Sequence, residues 1–300
     1  MAYTEIKKQG GSAYYYRVKS VRKGEKVAKK RVYLGKNLSL KERKAKELKA
    51  DLQLLFLGNL LRKEEINEIE SLKKRYSHEP KENFENRYES FCAFFTYDSN
   101  AIEGNTLTLR ETADLLFENI VPNAKTLREV NETINHKAAF DYMLKYKGNI
   151  TGSFICRLHE IVIKNTLREE IANQQGRYRN VQVYIRGVKE IPPPPGKVPN
   201  EMKSLLSWHT RNGRKLHPFV VACYFHIAFE LIHPFVDGNG RVGRLLMNSI
   251  LHKSGYPMVN IPNARKREYY EALHEAQVNG KIRDFVLLIS DILKKQNVLF

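Results

Sequence analysis

The chain has 300 residues, 42% hydrophobic and 28% charged, with a formal net charge of +18. No uninterrupted apolar run approaches the ~20 residues of a membrane span, and the opening MAYTEIKKQGG lacks the apolar segment of a signal peptide. Cys92, Cys156 and Cys223 are odd in number and far apart, which argues against a disulfide framework or a zinc site. The expectation is a soluble protein of the reducing cytoplasm with no membrane partner.

The positive charge is concentrated. Residues 1–50 hold 16 Lys and Arg against 4 Asp and Glu, an arm suited to an acidic partner or a nucleic acid. The alternative is a solvated, solubilising face. Within it, Tyr14–Lys36 alternates and is rich in Tyr and Val, with Lys23-Gly24-Glu25 as a turn. This predicts a small basic β-hairpin arm over 1–37, with room for a third strand.

Ser39-Leu40-Lys41-Glu42 matches a capping box and opens a helical connector over 38–85, running to about His78. The polar stretch Ser77–Tyr88, with Pro80, marks a boundary, and residues 86–300 form the main domain. Thr108 with Glu111 and Thr126 with Glu129 are two more capping boxes. Apolar spacing after Asn131, Thr151 and Asn200 predicts further helices, giving a mainly α fold. One segment departs from this. Gly176–Pro199 alternates at Val181, Val183 and Ile185, turns near Gly187 and ends in four prolines, which predicts a short hairpin and a stiff polyproline connection. Such a hairpin must lie against something, and it offers an edge to an extended peptide.

The densest chemistry lies in HPFVDGNGRVGR, His233 to Arg244, between an apolar helix and a second helix that stops at Gly255 and Pro257. Gly238-Asn239-Gly240 can turn successive backbone N–H groups into an anion nest. The helix behind adds its own unpaired N–H groups and dipole. Arg241 and Arg244, three apart, bring two cationic forks to the same anion. Asp237 beside phosphate oxygens suits Mg²⁺, and His233 is the nearby group able to accept a proton near neutral pH. The combination reads as a metal nucleotide held beside a general base.

This stretch resembles, without mismatch, the signature of the Fic family, His-x-Phe-x-Asp/Glu-Gly-Asn-Gly-Arg-x-x-Arg. GRYRNVQVYIRG is similar to the family's flap, and SNAIEGNTLTL (Ser99–Leu109) to its inhibitory segment, here a helix near 94–104. The resemblance covers roughly residues 90–290 and leaves out the basic arm. It implies a Fic-type helical bundle with a β-hairpin flap that transfers AMP from ATP to a Ser, Thr or Tyr hydroxyl of a target protein. His233 would be the base, and Asp237 would hold Mg²⁺. Gly238, Asn239 and Gly240 would cradle the phosphates, with Arg241 beside them and Arg244 on the γ-phosphate. Tyr269 and Tyr270 match a tyrosine pair at the nucleotide site, and Gln277 stands where some members carry Asn. Val183, Tyr184, Ile185 and Arg186 would clamp the target backbone. Ser99 and Glu103 match the inhibitory motif, with Glu103 facing Arg244. Self-modification and a homodimer are further expectations.

Within the fold, a Doc-like kinase carries Lys where this chain has Gly240-Arg241, so nucleotidyl transfer is the preferred reading. Transfer of another phosphate-linked group, removal of AMP, and a nucleic-acid-binding regulator working through the basic arm stay open.

Overall fold

The structure is a computed structural model that describes residues 2–23, 26–40, 42, 43, 46, 47, 50, 60–78, 80–185 and 190–296. The N-terminal arm has the third strand. β1 (Ala2–Gln9), β2 (Ser12–Lys23) and β3 (Lys26–Lys36) form an antiparallel meander in the order β1-β2-β3. Gly10 and Gly11 join β1 to β2 with φ of 55° and 73°, the positive pair that a tight two-residue hairpin turn demands. The turn expected at Gly24-Glu25 lies outside the described residues. One face of the sheet packs on the helical residues that follow. Thr4 donates to Glu47 Oε1 at 2.5 Å, the Arg43 guanidinium lies 6.0 Å from the Tyr15 ring, and Leu34 is buried. Ser39 and Glu42 exchange the bonds of a capping box.

The connector is broken rather than continuous. Leu60 and Leu61 form a bend, and α1 (Lys63–Ser77) starts afresh behind it. Its Ile69 and Leu72 join the same core as the later helices, and Arg283 grips Glu65 with two bonds of 3.1 and 2.6 Å. The chain then runs through α2 (Phe84–Ile102), α3 (Leu109–Phe117), α4 (Leu127–Lys145) and α5 (Gly152–Val162). After the flap segment come α6 (Val198–Asn212), α7 (Pro218–Ile232), α8 (Asn239–Lys253), α9 (Lys266–Asn279) and α10 (Ile282–Lys295). Both capping boxes at the starts of α3 and α4 are formed. Among the described residues, no helix is long and apolar enough to cross a membrane.

α7 is the axis of the bundle. Twelve of its fifteen residues are buried, because it is apolar on every side and must be enclosed on every side. α8 packs against it, pinned from behind by Asn248. The Asn248 amide donates to the Val259 carbonyl at 2.9 Å and accepts from the Val259 N–H at 2.8 Å. Asn248→Ala would leave both buried backbone groups unpaired, at about 1–3 kcal/mol each. Urea denaturation followed by circular dichroism is expected to show a loss of at least about 2 kcal/mol.

Candidate active site

The signature loop is held in shape by side chains that grip its backbone. His233 ends α7 in the left-handed region at φ 49°, a strained conformation for a non-glycine residue that surrounding structure must enforce. Asn239 spans the turn, accepting from the Phe235 N–H and donating to the Phe235 carbonyl, both at 2.9 Å. The His159 ring on α5 stacks on Phe235 at 3.7 Å between centroids. Its Nδ1 accepts from the Gly176 N–H at 3.1 Å, which leaves Nε2 protonated to donate to the Asp237 carbonyl at 3.1 Å. Burial lowers the His159 pKa to about 3, so this neutral tautomer persists. Gly238 has φ 75°, and a Cβ there would come within 2.8 Å of Ile163 Cγ2; only glycine fits. No side chain caps α8 behind it, so the helix presents its first N–H groups to the loop's concavity.

The Asn239 side chain is buried and spent on this clamp of the Phe235 backbone, so the nest expected of Gly238, Asn239 and Gly240 would draw on its backbone N–H.

Three acids meet the two signature arginines. Arg241, 2% exposed, reaches Glu132 at 3.5 Å and Asp237 at 3.4 Å. Arg128 on α4 donates to the other oxygen of Asp237 at 3.1 Å. Arg244 reaches α2: Nε donates to Ser99 Oγ at 2.9 Å, and Nη2 donates to the Ser99 carbonyl and to Glu103 Oε1, each at 2.8 Å. Burial pulls the Arg244 pKa down, but the charge and hydrogen bond of Glu103 together with Tyr269 and Tyr270 outweigh it, and the net direction is up. The two forks are thus held by acids from different helices, Glu132 on α4 and Glu103 at the end of α2. Arg244 Nη1 and Arg241 Nε keep buried N–H groups with no protein partner. Glu103 lies where expected, at the end of α2, with Gly104 following at φ 104°.

Burial pulls the His233 pKa down to about 4, although about a fifth of the side chain (22%) stays exposed. Its imidazole is therefore neutral at pH 7, with Nδ1 3.9 Å from Glu230. Glu230 is buried in turn, which raises its pKa to about 8, so it stands as a neutral acid. A Cβ on Gly243 would fall 2.2 Å from Glu230 Oε1, which explains the second glycine of GRVGR. Tyr269 is 1% exposed with its hydroxyl 2.7 Å from His226, whereas Tyr270 is 39% exposed and is the member of the pair able to meet a ligand. Gln277 donates to the Ile227 carbonyl at 3.3 Å, anchoring α9 to α7.

The flap differs from its expected form. No strand occurs among the described residues of 176–199, because side chains take the carbonyls that a ladder would use. The buried Arg179 guanidinium donates to Val181 O at 3.1 Å, Pro193 O at 2.5 Å and His233 O at 2.8 Å. Gln182 donates to Val183 O and Pro192 O. Val181 and Tyr184 are 45% and 74% exposed beside the site; Val183 and Ile185 are half-buried. Arg186 lies outside the described residues.

A family model described as Fic/DOC matches residues 149–251, the span from α5 through the flap and signature. A Fic family protein from Desulfovibrio desulfuricans is similar over 77% of this chain and 71% of its own, with 30% identity and a TM-score of 0.67. The chain belongs to the Fic family. Fic-1 from C. elegans superposes with a TM-score of 0.70 at 27% identity, over 86% of this chain and 76% of that one. Protein adenylyltransferase Fic from Drosophila persimilis is 38% identical over 203 residues, covering 66% of this chain and 39% of the relative. The chain thus spans about two fifths of the length of such curated relatives. As a Fic site it also employs residues that no motif announced: Arg128, Glu132, His159, Arg179 and Glu230.

Arg179 is the tie between flap and signature loop. Arg179→Lys keeps the charge but offers no planar fork for three carbonyls. Both Arg179→Lys and Arg179→Ala are expected to raise hydrogen exchange across 177–185 while leaving α7 protected; exchange monitored by mass spectrometry checks this.

Proposed function

We propose that this Fic protein transfers AMP from ATP to a Ser, Thr or Tyr hydroxyl of a protein, itself included, and that Glu103 restrains the reaction. The observation that carries the reading is the meeting of neutral His233 with an uncapped helix N-terminus and Asp237 on one rigid loop. The printed name of the Drosophila relatives, protein adenylyltransferase, supports it.

The residues present suit a magnesium nucleotide. Among the described residues no cluster of three or more His, Cys, Asp or Glu occurs, so a cation here would rest on the one carboxylate of Asp237 together with phosphate oxygens and water, the usual manner of Mg²⁺. When bound it would neutralise phosphate charge. The chain's own work is alignment, hydrogen bonding and one proton transfer. His233 accepts the hydroxyl proton as the oxygen attacks the α-phosphorus. The bond from that phosphorus to the bridging oxygen breaks, and pyrophosphate leaves. Backbone N–H groups at the start of α8 face the phosphates, while Arg241 and Arg244 oppose their charge. The flap residues Val181 to Ile185 hold the target chain beside the loop. Incubation with α-labelled and γ-labelled ATP tests the reading: label from the α position on protein supports AMP transfer, and label from the γ position alone refutes it.

His233→Ala is expected to slow transfer ~10²–10⁴-fold while nucleotide binding by calorimetry stays within about threefold, since a base lowers the barrier without adding ground-state affinity. The pH profile follows from the same burial. A pKa lowered to about 4 keeps the base form at all pH above it, so kcat/KM is expected to hold steady from pH 8 down to about 5.5, where an ordinary histidine near 6.5 would already have lost most of the rate.

Asp237→Asn keeps the shape and removes the charge. Transfer by this variant is expected to need at least about tenfold more Mg²⁺, read from titration of the initial rate.

Glu103 occupies the fork of Arg244 that the γ-phosphate would use, and its charge repels that phosphate. Glu103→Gly is expected to increase α-label transfer by at least about tenfold, equivalent to 1.4 kcal/mol. Glu103→Gly with Arg244→Ala is expected to lose the gain. Equal labelling by wild type and Glu103→Gly would remove the restraint from the reading.

A further inference from the structure

The N-terminal sheet has one covered face and one open face. Residues paired across strands share a face, and the register gives three rows on the side away from Glu47: Tyr3–Val18–Arg31, in which Val18 itself is buried, Glu5–Tyr16–Tyr33 and Lys7–Tyr14–Lys36. Tyr3 and Tyr33 are 43% and 52% exposed. The Tyr16 and Tyr33 rings lie 5.2 Å apart, and the ammonium groups of Lys7 and Lys36 sit 5.8 and 5.7 Å from the rings of Tyr16 and Tyr14. Glu5, the acid of these rows, is neutralised by Arg31 at 3.0 Å. Over residues 1–37 eleven Lys and Arg stand against two Glu. The opposite face, which carries Tyr15 and Arg17, packs on Arg43 and Glu47, so four of the arm's five tyrosines stand on the other side, together with Lys7, Lys29, Arg31 and Lys36.

We propose that this open face binds single-stranded nucleic acid, with bases stacked on Tyr3 and Tyr33 and phosphates met by Lys7, Lys29 and Lys36. Charge complementarity selects a polyanion. Half-exposed rings interleaved with cations select one that brings flat π faces with its charge. An acidic protein would use the lysines and leave the rings idle. A duplex keeps its bases stacked on each other and out of reach of the rings. The inference does not rest on the transfer reaction, whose residues lie elsewhere in the chain.

The test is fluorescence anisotropy of the full chain with a labelled oligo-dT of about 20 nucleotides, long enough to span one such surface. Binding is expected to weaken with salt, log K falling by about 0.7 per phosphate contact. Tyr3→Ala with Tyr33→Ala is expected to weaken binding at least about tenfold with the salt slope unchanged, because stacking on the rings adds affinity without touching the phosphates. Tyr3→Phe with Tyr33→Phe keeps the rings and should keep the affinity, which separates stacking from misfolding. Lys7→Glu with Lys36→Glu is expected to flatten the slope. Binding indifferent to the loss of both rings, an equal affinity for heparin, tighter binding of a duplex of the same length, or no binding at about 50 mM salt would each overturn the proposal.

Discussion

A guanidinium cannot be buried without compensation, and Arg244 is 1% exposed. Two of its bonds go to Ser99, through the hydroxyl and the backbone carbonyl, and one goes to Glu103. The Ser99 bonds are neutral and fix the side chain's position; the Glu103 bond supplies the charge. This division has a consequence. In the proposed reaction, Glu103 is exchanged for another anion while the Ser99 bonds keep α2 docked on α8. A buried cation that loses its counter-ion is costly, so exchange is favoured over simple departure. On the proposed function, the γ-phosphate is the competing anion, and the balance between restraint and activity is a difference of two affinities for one fork.

The loop that carries this chemistry gets its rigidity from elsewhere. Asn239 clamps Phe235 from within the loop. His159 on α5 holds the Asp237 carbonyl, and Arg179 in the flap holds the His233 carbonyl. Each holds backbone polar groups that a sharp turn leaves unpaired. The strain at His233 is sustained by these grips and by α7, whose enclosure leaves it no room to shift. Burial then acts a second time. It keeps the His233 and His159 imidazoles neutral and Glu230 protonated, so the site at pH 7 confines its positive charge to arginines, which cannot lose it.

Sequence reasoning succeeded where the chemistry is local. The capping boxes at Thr108 and Thr126 need four consecutive residues, and the signature needs twelve, so both were legible and both are formed. Glu103 and Ser99 could be placed on one helix end by their spacing of four. Partners distant in the chain could not be read: Arg128 meets Asp237 across 109 positions. The flap shows a different limit. Alternation at Val181, Val183 and Ile185 implies strands only if carbonyls are free to pair, and Arg179 and Gln182 claim them. Asn239 between two glycines looks like any turn asparagine, and nothing in its neighbours announces that Phe235 will consume its amide. Arg241 and Arg244 share a helix face by spacing, but their partners Glu132 and Glu103 come from helices the spacing knows nothing about.

The chain deals with negative charge in two physically different ways. Arg241 and Arg244 are buried, their geometry fixed by neighbours, and a low local dielectric makes their attraction strong and weakly screened. The cations of the sheet face are exposed on flexible stems, where a Debye length of about 8 Å at physiological salt limits their reach. The first arrangement discriminates by shape, because an anion must fit a space that Glu103 already fills. The second discriminates little by shape and depends on ionic strength. A change in salt is therefore expected to act more on the exposed cations of the sheet face than on the Arg244–Glu103 pair, whose arginine is buried and whose glutamate is partly exposed. If both proposals hold, the two surfaces are separable in solution by ionic strength, even though one chain carries both.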